Sequence, residues 1–169
     1  MYRICFVCSG NICRSPIAEA LLRARLVDEG LDTGIVVDSA GTGGWHAGEP
    51  ADPRAVAAMN AAGYPAGSGD HTARQFEVSW FDECDLVIAL DRGHESELRR
   101  LAPDAAAAEK VRLLRAFGDD GADAASGEAL DVPDPYYGDD AGFAECLDII
   151  EAALPGLLKT VRERTGAVG

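Results

Sequence analysis

Lysine and arginine are absent between Ala116 and Leu158, a stretch that carries Asp119, Asp120, Asp123, Glu128, Asp131, Asp134, Asp139, Asp140, Glu145, Asp148 and Glu151. With a net charge of −14, such a chain repels nucleic-acid backbones and anionic lipid surfaces, which excludes nucleic acid and membrane as expected partners. Most of these carboxylates are read as a solvated face that maintains solubility. The chain also lacks any apolar run near the roughly 18 residues that a bilayer crossing needs. Its start, Met1-Tyr2-Arg3-Ile4-Cys5, has no signal-peptide layout, so a soluble, cytoplasmic protein is expected. The five cysteines are odd in number and not spaced as metal-ligand pairs, which argues against a secreted disulfide framework and against a zinc site. There is too little chain for two ordinary domains. The 169 residues, 47% of them apolar, suffice for one well-buried core, and residues 1–169 are read as a single domain.

What is present is concentrated in Val7-Cys8-Ser9-Gly10-Asn11-Ile12-Cys13-Arg14-Ser15-Pro16, which joins the apolar run Ile4 to Val7 to a helix-like run beginning at Pro16. The pattern predicts a strand, a loop and a helix N-terminus. Such a loop collects free backbone N–H groups and the positive end of the helix dipole, which together bind an anion and favour the thiolate of a nearby cysteine. Cys8 enters the loop and Arg14 leaves it. Arg14 can grip two oxygens of a tetrahedral oxyanion in a fork, Gly10 lets the backbone approach closely, and Ser15 can offer a hydroxyl to the sulfur. A cysteine and an arginine at this separation occur by chance in many chains. The apolar strand before them and Pro16, which favours a first helical turn, raise this pair above that background.

Along the chain, the first helix is predicted from about Pro16 to Asp28-Glu29, where Ile17, Ala20, Leu21, Ala24 and Leu26-Val27 make an apolar stripe that Gly30 ends. Ile35-Val36-Val37 predicts a short strand stopping at Ser39-Ala40-Gly41. Strand, helix, strand is a parallel crossover unit, whose ligands bind beyond the carboxyl ends of the strands, where Cys8 stands. The glycine-rich loop Gly41 to Pro50 holds Trp45, expected at the rim of a pocket, and His46, read as polar surface. Asp52 as N-cap and Pro53 at the first position open a packing helix that runs to Ala62 and closes at Gly63. Gly67 to Gln75 is read as a turn entering a short helix, with His71 in a hydrogen-bonding role. Asp85 to Leu90 predicts the clearest buried strand, followed by Asp91 and Arg92 at its carboxyl end and by a helix to Leu101. Val111 to Leu114 predicts a fourth strand. The acidic residues 116–133 are expected as a long mobile surface loop within the domain. The last helix is predicted from Ala141 to Arg164, with Pro155 marking a kink or break. Before it stands Asp134-Pro135-Tyr136-Tyr137-Gly138, either a general acid beside a pocket wall or an ordinary acidic turn.

Taken together, Cys8-Ser9-Gly10-Asn11-Ile12-Cys13-Arg14-Ser15-Pro16 and Asp134-Pro135-Tyr136-Tyr137 closely resemble the motifs of the low-molecular-weight protein tyrosine phosphatases. The resemblance continues through Asp38-Ser39-Ala40-Gly41-Thr42, Trp45, His71-Thr72-Ala73-Arg74-Gln75 and Leu90-Asp91, from Tyr2 to about Leu158. It implies an α/β fold, a small doubly wound, Rossmann-like domain with a four-stranded parallel sheet flanked by helices. By position, it implies Cys8 as nucleophile, Arg14 as the phosphate-binding arginine and Asp134 as general acid. Ser9, Gly10, Asn11, Ile12, Cys13 and Ser15 complete the phosphate-binding loop. Asn11, Ser15, Ser39 and His71 match the polar network that holds it, and Trp45, Tyr136 and Tyr137 the aromatic walls. The implied reaction is hydrolysis of protein phosphotyrosine through a cysteinyl-phosphate, with no metal and no cofactor. Inorganic phosphate or a similar oxyanion is the expected ligand of the loop, and a monomer or weak homodimer the expected state. The resemblance further implies Cys13 as a redox partner, able to capture a sulfenic acid on Cys8 as a disulfide.

Three rival readings share features of this chain. Arsenate reductases have this fold and loop but use two further cysteines around the carboxyl end of the third strand; Leu90-Asp91-Arg92-Gly93-His94 offers none, and Cys84 precedes the strand. Protein-arginine phosphatases carry threonine where Ile12 stands and lack the second tyrosine after Asp134-Pro135. A silent phosphate-binding module would not need Cys8, Arg14 and Asp134 intact. The acidic surroundings of Asp134 predict a preference for phosphotyrosines flanked by basic residues.

Overall fold

The computed structural model describes residues 1–64, 71–117 and 130–166. Strand β1 (Tyr2–Cys8) sits centrally, paired in parallel with β2 (Ile35–Gly41) on one side and β3 (Leu86–Ala89) on the other; β3 carries β4 (Val111–Leu113), giving the order β2-β1-β3-β4. A parallel sheet covered on both faces needs strands that are apolar on both faces. Alternate β1 residues meet that need. Ile4, Phe6 and Cys8 join the core layer beneath α1 (Arg14–Asp28), α2 (Pro53–Ala61) and the long α6 (Asp140–Thr165). Cys5 and Val7 face the layer that holds Phe81 of α3 (Trp80–Glu83), Leu98 of α4 (Arg92–Leu101) and Ala107 of α5 (Ala105–Glu109). The winding reverses between β1 and β3, and in open α/β sheets the crevice at that reversal is the ligand site. Cys8 ends β1 there, and Leu90-Asp91 follow β3.

Several elements depart from expectation. Helix α1 begins at Arg14 rather than Pro16; Cys13 occupies the cap without a side-chain bond, and Pro16 falls inside the first turn. Gly30 follows the helix at φ 71, a backbone state that glycine adopts without the usual steric cost. Of the segment read as a turn entering a helix, Gly67 to Asp70 lie outside the described residues, and 71–75 are not helical. They extend beside β2, with Gly41 N–H donating to Arg74 O at 2.8 Å and Phe76 N–H to Gly41 O at 2.8 Å. Helices α3 and α5 and the 3₁₀ turn Leu114–Phe117 are too short for an apolar period to reveal.

Pro155 neither ends nor interrupts α6. Its ring is exposed, while Ala153, Leu154, Leu157 and Leu158 on both sides are buried and hold the two halves against one core. The next residue, Gly156, packs directly on the 3₁₀ turn: a Cβ there would fall 1.5 Å from Phe117 O. The expected surface loop 116–133 is correspondingly not loose at its ends, since Phe117 and Val132 are buried. Its middle, 118–129, lies outside the described residues. No described helix is long and apolar enough to cross a membrane.

Candidate active site

The loop between β1 and α1 is held from outside by its carbonyls. Thr42 N–H donates to Cys8 O at 2.8 Å, Gly43 N–H to Ser9 O at 3.1 Å, Asp52 N–H to Ile12 O at 2.8 Å, and His71 Nε2 lies 2.7 Å from Asn11 O. Because a trans peptide points its C=O and the following N–H in opposite directions, this outward anchoring turns the loop's N–H groups inward. They converge at the first turn of α1, which contains no acidic residue to neutralise the dipole. The result is a nest for an anion.

Asn11 makes the nest's sharp turn at φ 60 and is fully buried. Its Nδ2 donates to Ser15 Oγ at 2.8 Å and to Ser39 Oγ at 2.9 Å, and its Oδ1 accepts from Arg74 N–H at 3.0 Å. Ser39 in turn donates to Glu19 at 2.6 Å. Ser15 Oγ stands 2.9 Å from Cys8 Sγ, placed to donate to a thiolate. Residues 11, 15, 39 and 71 are therefore brought together around the loop, with Glu19, outside the quoted motifs, and Arg74, inside one but given no role there, as further members.

Arg14 is buried and gripped at one end. Its Nη1 donates to Asp91 Oδ2 at 2.8 Å and to Val132 O at 2.9 Å, while Nη2 lies 3.4 Å from both Ser9 Oγ and His94 Nε2. Burial alone would loosen its proton, but the negative charge of Cys8, Asp134 and Asp91 outweighs burial and keeps the guanidinium cationic. Asp91 also caps α4, accepting from His94 N–H at 2.9 Å. Cys13 is pushed upward by burial first and then by Asp52, Cys8 and Asp134, so it rests as a neutral thiol.

Asp134 approaches from the opposite side, its Oδ2 3.7 Å from Arg14 Nη2. The segment that carries it is tied at several points. Asp131 accepts from Arg92 N–H at 2.8 Å, Arg115 donates to Asp131 O at 3.0 Å, and Val132 N–H donates to Leu90 O at 2.8 Å. Further on, Arg54 Nη1 donates to Gly138 O at 3.3 Å while its guanidinium bonds Asp52 and lies 5.5 Å from the Tyr136 ring centre. Arg54 thus links the Asp52 cap, which holds Ile12, to the acid's loop.

These parts enclose a cavity of about 420 Å³ with Cys8, Cys13 and Arg14 in its lining and Asp134, Trp45, His46, Tyr136 and Tyr137 around it. Trp45 and Tyr137 are exposed at its edge. His46, read from sequence as polar surface, covers Gly10, where a Cβ would fall 2.7 Å from the imidazole, and it bonds Glu49. Sequence reasoning left Arg54, His46 and His94 without a role. The position of His94, just past the carboxyl end of β3 at the sheet's reversal, was the available signal.

Residues 3–167 match the family model described as low molecular weight phosphotyrosine protein phosphatase. A low molecular weight protein-tyrosine-phosphatase of Streptomyces coelicolor is 58% identical, covering 96% of this chain and 95% of its own length. Low molecular weight protein-tyrosine phosphatase A of Mycobacterium tuberculosis is 47% identical over 98% of this chain and 95% of its own. Among solved structures, a protein tyrosine phosphatase from Entamoeba histolytica, with Hepes in its active site, superposes with a TM-score of 0.86 at 32% identity, covering 98% of this chain and 99% of that one.

Proposed function

The chain belongs to the low molecular weight phosphotyrosine protein phosphatase family and hydrolyses the phosphotyrosine of proteins; we propose that Cys8, Arg14 and Asp134 carry that reaction. The observation that supports this assignment is the convergence on one cavity of a thiol beside a serine hydroxyl, an arginine fixed by Asp91, and a carboxylate facing both. The Cys8 thiolate, accepting from Ser15, attacks phosphorus in line with the departing phenolate, and the phosphorus–oxygen bond breaks as the phosphorus–sulfur bond forms. Asp134 gives its proton to the phenolate oxygen, then takes one from the water that releases phosphate from sulfur. Inward N–H groups of the loop and Arg14 hold the three equatorial oxygens, where fixed dipoles and charge stabilise the transition state without reorganising. Trp45, Tyr136 and Tyr137 wall the tyrosine ring. The loop takes inorganic phosphate or a similar oxyanion, as the product requires.

Cys13 serves as the redox partner. Should a peroxide convert Cys8 to a sulfenic acid, the Cys13 thiol displaces water from it and forms a disulfide that external thiols reduce.

Turnover of a phosphotyrosine peptide beside phosphoserine and phosphoarginine peptides, in chelator, tests the assignment, with Cys8→Ser as the blank. Tyrosine-selective turnover that vanishes in Cys8→Ser while phosphate binding persists is expected. Turnover surviving in the variant would remove Cys8 from the chemistry, and preference for phosphoarginine would remove Ile12 from the selectivity argument.

A further inference from the structure

His94 is a buried side chain at the cleft to which the chemistry above assigns no task. Its Nε2 lies 2.9 Å from Ser9 Oγ and 3.4 Å from Arg14 Nη2, and its Nδ1 lies 3.2 Å from Asp91 Oδ1 with no hydrogen-bond partner among the described residues. The two tautomers are not equivalent in this setting. A proton on Nε2 would face the N–H bonds of Arg14, and the bare Nδ1 lone pair would face a carboxylate oxygen. A proton on Nδ1 turns both contacts into attractions: Nδ1–H lies beside the Asp91 carboxylate, drawn to its charge without a hydrogen bond, and Nε2 accepts from the Ser9 hydroxyl and from Arg14. Burial first, then the neighbouring Arg14 cation, push the imidazole down to about 4 against the pull of Asp91, Asp134 and Asp131, so the ring is neutral at pH 7.

The donors of Arg14 explain what this lock accomplishes. Of five N–H bonds, both on Nη1 go to Asp91 and Val132, and one on Nη2 is shared by Ser9 Oγ and His94 Nε2. The second Nη2–H and the Nε–H lie on one edge, without a hydrogen-bond partner among the described residues. That edge matches two oxygens of a phosphoryl group. We infer that His94, as the neutral Nδ1–H tautomer, is a positioning residue that keys Arg14 through Ser9 and so aims this free edge at the oxyanion. Without its acceptor the Ser9 hydroxyl is released, and Nη2 can turn toward the Asp134 carboxylate, 3.7 Å away. Arginine and acid then pair with each other rather than with substrate. The inference rests on the assignment of Arg14 to the phosphoryl group.

The test compares inorganic phosphate binding and aryl phosphate turnover in the parent, His94→Leu, His94→Gln and His94→Asn. Glutamine carries its amide where Nε2 stands, and asparagine where Nδ1 stands. His94→Leu should weaken phosphate binding and lower kcat/KM by roughly 10–100-fold, the scale of one hydrogen bond to a charged group, with His94→Gln restoring most of it and His94→Asn little. Phosphate binding in His94→Leu within about twofold of the parent, or equal rescue by both amides, would overturn the role. Nitrogen-15 NMR of the parent's imidazole needs no variant: a proton on Nδ1 is expected, and one on Nε2 overturns the lock even if His94→Leu fails to fold. A parent that binds phosphate normally while the leucine variant does too fails this inference alone. A parent that neither binds phosphate nor hydrolyses phosphotyrosine removes the assignment of Arg14 first, and the role of His94 with it.

Discussion

Two loops meet at the cleft, and they differ in almost every physical respect. The one from Cys8 to Ser15 is sealed, with Asn11 and Ser15 at 0% exposure and four of its carbonyls tied to three other segments. The one from Asp131 to Asp139, anchored at Asp131 and Val132, is open beyond them: the Asp134 side chain is 41% exposed and Tyr137 90%. Groups that stabilise developing charge must already be in place when the charge appears, because reorganising them would cost the energy they supply. A group that delivers a proton, or an aromatic that meets a peptide, needs reach more than rigidity. On the proposed roles, the closed loop couples catalysis to folding, and the open loop should not.

Substitutions can break or sharpen that contrast. The largest effect is expected from Asp134→Asn, which should cost roughly 10²–10⁴-fold on an aryl phosphate with a poor leaving group and far less on one whose leaving group departs unaided. Its thermal midpoint should match the parent's; a marked drop would mean the open loop also carries stability. Next is Asn11→Ala, which strips donors from Ser15 and Ser39 and puts alanine at φ 60. Urea unfolding should report a loss of about 2–4 kcal/mol, and unchanged stability would show that the sealed loop is not held by this network.

Acid probes the same region. The folded-state His94 holds its proton less tightly than an ordinary histidine near 6.5, down to about 4, so below 6.5 the unfolded chain takes up a proton that the fold refuses. Stability from this group is complete above about 6.5 and falls as pH drops toward 4, by of order 2–3 kcal/mol. His94→Gln should flatten that part of the profile, and an unaltered slope would assign it to other groups. The smallest effect is expected at Tyr137→Ala, a rise in KM for a phosphopeptide of roughly twofold to tenfold with kcat and thermal midpoint unchanged. A change in kcat instead would place Tyr137 closer to the chemistry than its exposure implies.

Local pattern made β1, the loop, α1 and β3 legible, because an apolar strand, a cluster of small and polar residues and a helix-opening proline are each written in consecutive residues. Asp134 was visible for the same reason, as a carboxylate before a proline and two aromatics. His94 was not, since its partner Ser9 lies 85 residues away and the contact exists only because β1 and β3 are neighbours. Arg54 was hidden as an ordinary residue in the first turn of α2. The segment 71–75 was misread because its backbone partners lie in other segments, at Gly41, Gly48 and Glu49, not in its own next turn, and α6 shows no break at Pro155 because buried residues on both sides hold it against one core.

Arg115, in the 3₁₀ turn, donates to Asp131 O, which joins the turn seated on Gly156 to the residue that also accepts from Arg92. Two arginines from different elements thus clamp one residue three positions before Asp134. The residue proposed as the acid is thereby placed by two elements, α4 and the 3₁₀ turn, that take no direct part in the proposed chemistry.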